Sequence, residues 1–97
     1  MLTTFPDSRR VARPAYASVT VYGTRWCAAT QGVRRLLDRY GIPYVYRDLE
    51  TDPYAERQVR WWTGGYASHP TVHIGGDILV EPTTAELRWA LARNRLA

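Results

Sequence analysis

The 97-residue chain has no lysine, one cysteine, and no apolar stretch near the length of a membrane span. Each absence excludes something. A single cysteine rules out an internal disulfide framework, the usual staple of small secreted domains. No run approaches the ~18 apolar residues of a spanning helix, and the N-terminus lacks a positive stretch followed by an apolar one. The chain is therefore expected in the cytoplasm, without a membrane partner. With lysine absent, the 13 basic residues are all arginine and the formal net charge is +4. They are scattered, as Arg9, Arg10 and Arg13 near the start, Arg34, Arg35 and Arg39 in one segment, and Arg57 and Arg60 in another. A nucleic-acid surface would show a denser stripe with interleaved aromatics or a recognisable motif, so no nucleic-acid partner is expected. The positive field would still draw small anions. No internal repeat or low-complexity tract interrupts the chain. Its length fits one domain, and 45% apolar residues suffice to bury a core.

Residues 1–17 contain Pro6, Asp7, Ser8 and Pro14 with no sustained apolar period, and are read as a flexible N-terminal arm before a domain over 18–97. The alternation of Val19 and Val21 with Thr20 and Tyr22 predicts a strand over 18–22. Gly23 and Thr24 turn the chain. From Cys27 onward, Ala29, Val33, Leu36, Leu37 and Tyr40 recur at helical spacing until Gly41 stops them. A second strand is expected over 44–49, reached by a helical crossover and so parallel to the first. Asp52-Pro53 reads as a cap with proline at the first helical position, opening a helix to about Trp62 in which Ala55, Val59 and Trp62 share a face. Gly64-Gly65 ends it. Pro70 leads into the strand 71–74, and Gly75-Gly76-Asp77 turns it into an antiparallel partner over 78–80. Thr83-Thr84-Ala85-Glu86 is a capping box that opens a last helix, with Leu87, Ala90, Leu91 and Asn94 along one side.

Cys27 is the residue most suited to chemistry. It stands where a helix begins, Arg25 is two residues upstream, and the turn's backbone N–H groups should point at it. A helix N-terminus and a cation both favour a thiolate, which is the nucleophilic form. A lone cysteine also commonly serves as a small buried hydrophobe, and position alone leaves both readings open.

Together, Val21-Tyr22-Gly23-Thr24-Arg25-Trp26-Cys27, the βα-β-α-ββα order and the proline before the third strand resemble the glutaredoxins of the thioredoxin superfamily. The closest look is to the mycoredoxin-like and other small actinobacterial members. Trp26-Cys27-Ala28-Ala29-Thr30 stands at their Trp-Cys-x-x-Cys site, Gly64-Gly65 at their Gly-Gly loop, Ser68-His69-Pro70 at their Thr-Val-Pro, and Glu81-Pro82-Thr83-Thr84 at their late Asn-Pro-Ser/Thr. The likeness covers about residues 18 to 96. It implies an α/β, thioredoxin-like fold: a four-stranded mixed sheet, βαβ then a ββ hairpin, flanked by three helices.

The second active-site cysteine is missing, and Thr30 occupies its place, which makes this a monothiol variant. One helical turn from Cys27, the Thr30 hydroxyl could donate to the thiolate but could not resolve a disulfide. The resemblance implies a thiol-disulfide oxidoreductase acting as a monomer on S-thiolated proteins, with a low-molecular-weight thiol (glutathione, mycothiol or bacillithiol) as co-substrate. Cys27, Thr30 and Arg25 would be catalytic. The small thiol would lie by Trp26 and the loop Ser68-His69-Pro70, with its carboxylate near Thr83 and Thr84. The resemblance also implies a cis bond before Pro70. His69 could stabilise the thiolate, act as its base, or simply pack. No metal is expected, since His73 has no second ligand at suitable spacing. Two other readings stay open: iron–sulfur binding by a thiol-bridged dimer, whose Cys-Gly-Phe-Ser pattern is not matched here, and a non-enzymatic module docking a partner through Trp26, Trp61 and Tyr66.

Overall fold

A computed structural model describes residues 18–96, so the arm expected over 1–17 lies outside the described residues. The element order is β1 (Val19–Gly23), α1 (Ala28–Arg39), β2 (Val45–Asp48), α2 (Pro53–Thr63), β3 (Thr71–Ile74), β4 (Asp77–Val80) and α3 (Thr84–Arg93). The sheet order is β2-β1-β3-β4. β1 runs parallel to β2, with Val21 opposite Tyr46, and antiparallel to β3, with Val21 opposite Val72; β3 and β4 form the antiparallel hairpin. This is the thioredoxin-like α/β fold, with a four-stranded mixed sheet and, among the described residues, three helices.

Side-chain alternation on β1 sorts the helices to two faces. Val19 and Val21, with Val72 and Ile74 beside them, face a core filled by Val33, Leu36 and Leu37 of α1 and Leu87, Ala90 and Leu91 of α3. Tyr22 faces the other way and packs with Leu49 and with Ala55, Val59 and Trp62 of α2. The Trp62 ring meets Tyr22 edge-on at 5.4 Å between centroids and His73 at 5.3 Å. His73 is thus a packing residue on that face, and no group of three or more possible metal ligands occurs among the described residues.

Local signals placed the helix ends well. Asp52 accepts from the Tyr54 and Ala55 N–H groups, each at 3.1 Å, ahead of Pro53, and Gly64 closes α2 in a left-handed conformation at φ 80°. Thr83 and Glu86 form the reciprocal capping box. Two expectations for α1 are corrected. Its buried face is Thr30, Val33, Leu36 and Leu37, while Ala29 and Tyr40 are exposed. The helix begins at Ala28, which turns position 30 toward the sheet one turn before Val33. Tyr40 is the C-cap, and its hydroxyl accepts from Arg88 Nε at 2.8 Å. Asn94 caps α3, and its side-chain amide donates to Asp77 Oδ2 and to the Ala90 carbonyl, both at 2.8 Å, which fastens α3 to β4.

Candidate active site

Cys27 is the N-cap of α1, with extended backbone at φ −87° and ψ 116°. Its N–H donates to the Thr24 carbonyl at 3.2 Å, closing the turn after β1, and its carbonyl accepts from Gln31 N–H at 3.1 Å, opening the helix. The side chain of an N-cap residue projects toward the first free N–H groups of the helix. The sulfur makes no capping hydrogen bond in the structure. The Cys27 pKa is held below the ordinary thiol value, chiefly by the Thr30 hydroxyl and further by the Thr30 and Ala29 N–H groups; partial burial and the Glu81 carboxylate push the other way.

Thr30 carries the largest of these effects, and its setting explains why. The residue is fully buried, and its Oγ1 has no hydrogen-bond partner in the structure. A buried hydroxyl without a partner is costly, so an anionic acceptor within reach is favoured. Its side chain rests on the bare backbone of Gly23: a Cβ there would come within 2.5 Å of Thr30 Oγ1. Any larger residue at position 23 would displace the hydroxyl from its seat under the sulfur.

The Arg25 guanidinium lies over the Trp26 ring, 5.4 Å from the centroid, and the largest pull on the thiol comes from Thr30, followed by the helix N–H groups. Arg25 and Trp26 are both exposed, Trp26 by 80%. Residues adjacent in sequence at a tight turn point outward, whereas the residue three positions on points inward.

The other expected site residues come from two loops tied together. The His69–Pro70 bond is cis. The Pro70 carbonyl accepts from Glu81 N–H at 2.8 Å, which brings the start of α3 against the proline loop. The Ser68 carbonyl accepts from the buried Thr71 hydroxyl at 2.8 Å. His69 is exposed, and its Nδ1 donates to the Ala67 carbonyl at 2.9 Å, leaving Nε2 as the free ring nitrogen. Two grooves flank the segment that carries Cys27, and Cys27 itself lines neither. One, of about 640 Å³, is lined by Thr24, Glu50, Glu56 and His69 among others. The second, of about 310 Å³ between α1 and α3, is lined by Ala29, Gly32, Val33, Pro82, Thr83 and Thr84 among others. The stretch from Thr24 to Ala29, with Cys27 in it, runs from one groove to the other. His69 thus belongs to the first and the pair Thr83 and Thr84 to the second.

Glu81 was missed in the sequence, although it immediately precedes Pro82 in the motif. It is exposed and adopts φ 50°, the left-handed region that few side chains occupy. Its carboxylate raises the Cys27 pKa, so Glu81→Gln should make the thiol more acidic and faster to alkylate at neutral pH. Alkylation rate against pH measures the change. Because an exposed carboxylate acts through a screened field, the wild-type and variant profiles should converge in high salt. Identical profiles at low salt would refute the assignment.

A cysteine capping a helix beside a cis-proline loop, on a thioredoxin-like sheet, defines a class of redox protein. The glutaredoxin family model matches residues 19–79, and the chain belongs to the glutaredoxin family, whose members are generally thiol-disulfide oxidoreductases using glutathione-type thiols as co-substrate. Among solved structures, a thioredoxin-like protein superposes with a TM-score of 0.68 at 25% identity, over 75% of this chain and 99% of that one. The glutaredoxin of Archaeoglobus fulgidus gives a TM-score of 0.68 at 18% identity, over 76% of this chain and 85% of that one. A buckwheat glutaredoxin in complex with glutathione gives 0.63 at 20% identity, over 79% and 74%. No relative was found among curated protein sequences. Among the described residues, no helix is long and apolar enough to cross a membrane.

Proposed function

We propose that this glutaredoxin is a monothiol enzyme of the mycoredoxin-like kind, which removes a low-molecular-weight thiol from proteins through Cys27. The observation that carries the reading is the unpartnered Thr30 hydroxyl beneath a cysteine at a helix start, in the one place where the family's second cysteine would stand. Of two adjacent requirements, an acidic thiol and a resolving thiol, this chain retains the first.

The Cys27 thiolate attacks the small-thiol sulfur of a mixed disulfide. The bond between that sulfur and the target protein breaks, and the target leaves as a thiolate that takes a proton from water. Cys27 then carries the small thiol. A second molecule of the small thiol, as its thiolate, attacks the adduct, frees Cys27 and departs as the symmetrical small-thiol disulfide. The sum is one mixed disulfide and one small thiol converted to one protein thiol and one small-thiol disulfide, with no metal required. Thr30 and the α1 N–H groups stabilise Cys27 each time it leaves as a thiolate. Arg25, stacked on Trp26, frames the approach. Ser68, His69 and Pro70 on one side and Thr83 and Thr84 on the other are the residues proposed to hold the small thiol. The free N–H groups of a helix start suit its carboxylate. The reading includes a single catalytic domain over 18–97 acting as a monomer in the cytoplasm.

The test is intact mass after incubation with the symmetrical disulfide of each candidate thiol, followed by turnover on an S-thiolated peptide. One of glutathione, mycothiol or bacillithiol should add a single thiol unit to the protein, and the same thiol should support turnover. No adduct and no turnover with any of them would overturn the proposal.

A further inference from the structure

The loop that presents Cys27 has little to hold it. Arg25 and Trp26 project into solvent, and within the turn itself the bond from Cys27 N–H to the Thr24 carbonyl ties the backbone. A second restraint arrives from the helix. The Gln31 side-chain amide, one turn after Cys27, donates from Nε2 to the Arg25 carbonyl at 3.1 Å and lies 3.5 Å from the Thr24 carbonyl. Its Oε1 faces Arg34 Nη1 at 3.5 Å. Arg34 in turn donates from Nε to the Tyr44 hydroxyl at 3.2 Å, and its guanidinium carbon lies over the Tyr46 ring, 4.0 Å from the centroid. A line of contacts therefore runs from Tyr44 and Tyr46, at the edge strand, through Arg34 and Gln31 to the carbonyls that precede the cysteine.

We propose that Gln31 is a positioning residue for Cys27: its amide clamps the Thr24–Arg25 turn so that the sulfur faces the start of α1, and Arg34, seated on Tyr46 and bonded to Tyr44, orients the amide. The inference rests on Cys27 as the reactive group. The geometry gives each partner a distinct part. A side-chain amide carries a donor on one side and an acceptor on the other. With Oε1 turned to Arg34 and the NH₂ group to the Thr24 and Arg25 carbonyls, which only accept, both ends select the same orientation of the amide. The guanidinium is itself fixed by a hydroxyl and an aromatic face, a geometry that a lysine would not reproduce. Losing the clamp would free the turn while leaving the buried face of α1 untouched, because Gln31 lies outside it.

The test is the pH profile of Cys27 alkylation by iodoacetamide in Gln31→Met, Arg34→Met and the double variant, with thermal melting alongside. Methionine keeps length and packing, adds no charge, and removes the amide. Gln31→Met should alkylate about three- to tenfold more slowly at pH 7, the weight of one hydrogen bond, and melt close to the parent. Arg34→Met should give a smaller loss in the same direction. The double variant should be no slower than Gln31→Met alone, because both act through one contact. Additive losses would mean that Arg34 acts on the thiolate through its own charge, and an unchanged profile in Gln31→Met would mean that the turn needs no clamp; either result overturns the proposal. Alkylation reads the thiol directly, so these outcomes hold whether or not the protein turns over mixed disulfides, and a failure of the one reading is distinguishable from a failure of the other.

Discussion

Cys27→Ser should give a protein with no reductase turnover that is nevertheless more stable than its parent. The first half follows from chemistry. Serine keeps the geometry, but its hydroxyl does not ionise in the working range, and an alcohol is a poor nucleophile toward sulfur; with the only cysteine gone, the chain can hold no small thiol as a mixed disulfide. The second half follows from the position. Cys27 is an N-cap that makes no capping hydrogen bond in the structure. Serine is among the best N-cap residues, since its oxygen accepts from the second or third helical N–H, worth about 1 kcal/mol relative to a non-capping residue. For a domain of this size that is a gain of roughly 4 °C or more in melting temperature. The Ala29 and Thr30 N–H groups that act on the thiolate are the ones the serine would take. Calorimetry below the folded pKa of Cys27, as located by the alkylation profile, and turnover on an S-thiolated peptide measure the two halves. Turnover retained in the variant would remove Cys27 from the mechanism, and a lower melting temperature would remove it from the cap. The opposite signs express one fact: the helix start is built for an anion, and a neutral thiol leaves it unsatisfied.

How much of this was legible in the sequence depends on the reach of each interaction. Asp52-Pro53, the Thr83–Glu86 box and the Gly64 stop are complete within four or five residues, so their spelling is their structure. The alternation at Val19, Val21 and Tyr22 likewise assigns helices to faces, because β1 is central and each of its side chains meets a different layer. Around the thiol, proximity along the chain misleads. Arg25, two residues away, stacks on Trp26, while Thr30, three residues ahead, carries the main effect because it is one turn along a helix seated on Gly23. The expected burial of Ala29 in place of Thr30 has the same origin, since an apolar period passes over a polar residue that shares the buried face. Glu81 and Gln31 were beyond reach. Glu81 acts on Cys27 only because its N–H is bonded to the Pro70 carbonyl, and Gln31 matters only because its side chain turns back along the helix to the preceding loop. The pattern of a motif lists what touches the substrate; it omits what aims the motif.

Thr30→Val separates the catalytic from the structural cost of the same atom. Valine matches threonine in shape and replaces the buried hydroxyl by a methyl group, so the packing on Gly23 is kept. The parent buries a hydroxyl with no partner, a penalty of about 1 kcal/mol or more, and below the folded pKa of Cys27 the variant should be more stable by about that amount. Reactivity should fall instead. The hydroxyl is the largest influence holding the thiol pKa down, so its loss should move the alkylation profile to higher pH. The rate at pH 7 should fall about tenfold, as expected for a hydrogen bond to a charged group. The sign with pH is fixed by linkage. A cysteine whose folded pKa lies below its unfolded value adds nothing to stability at low pH, where both states hold the proton. Between the two values the unfolded chain binds more protons, so the stability of the parent rises with pH; the gain is full above the unfolded pKa and is lost as pH falls through the folded one. The advantage of the variant should therefore be greatest below the folded pKa of Cys27 and shrink as pH rises toward the unfolded value, about 8.5, as the parent's thiolate takes up the hydroxyl. Denaturant melts on either side of that interval measure this. A constant difference between parent and variant would mean that Thr30 and the thiolate are not coupled, and the hydroxyl would then be a packing defect with no part in the reactivity of Cys27.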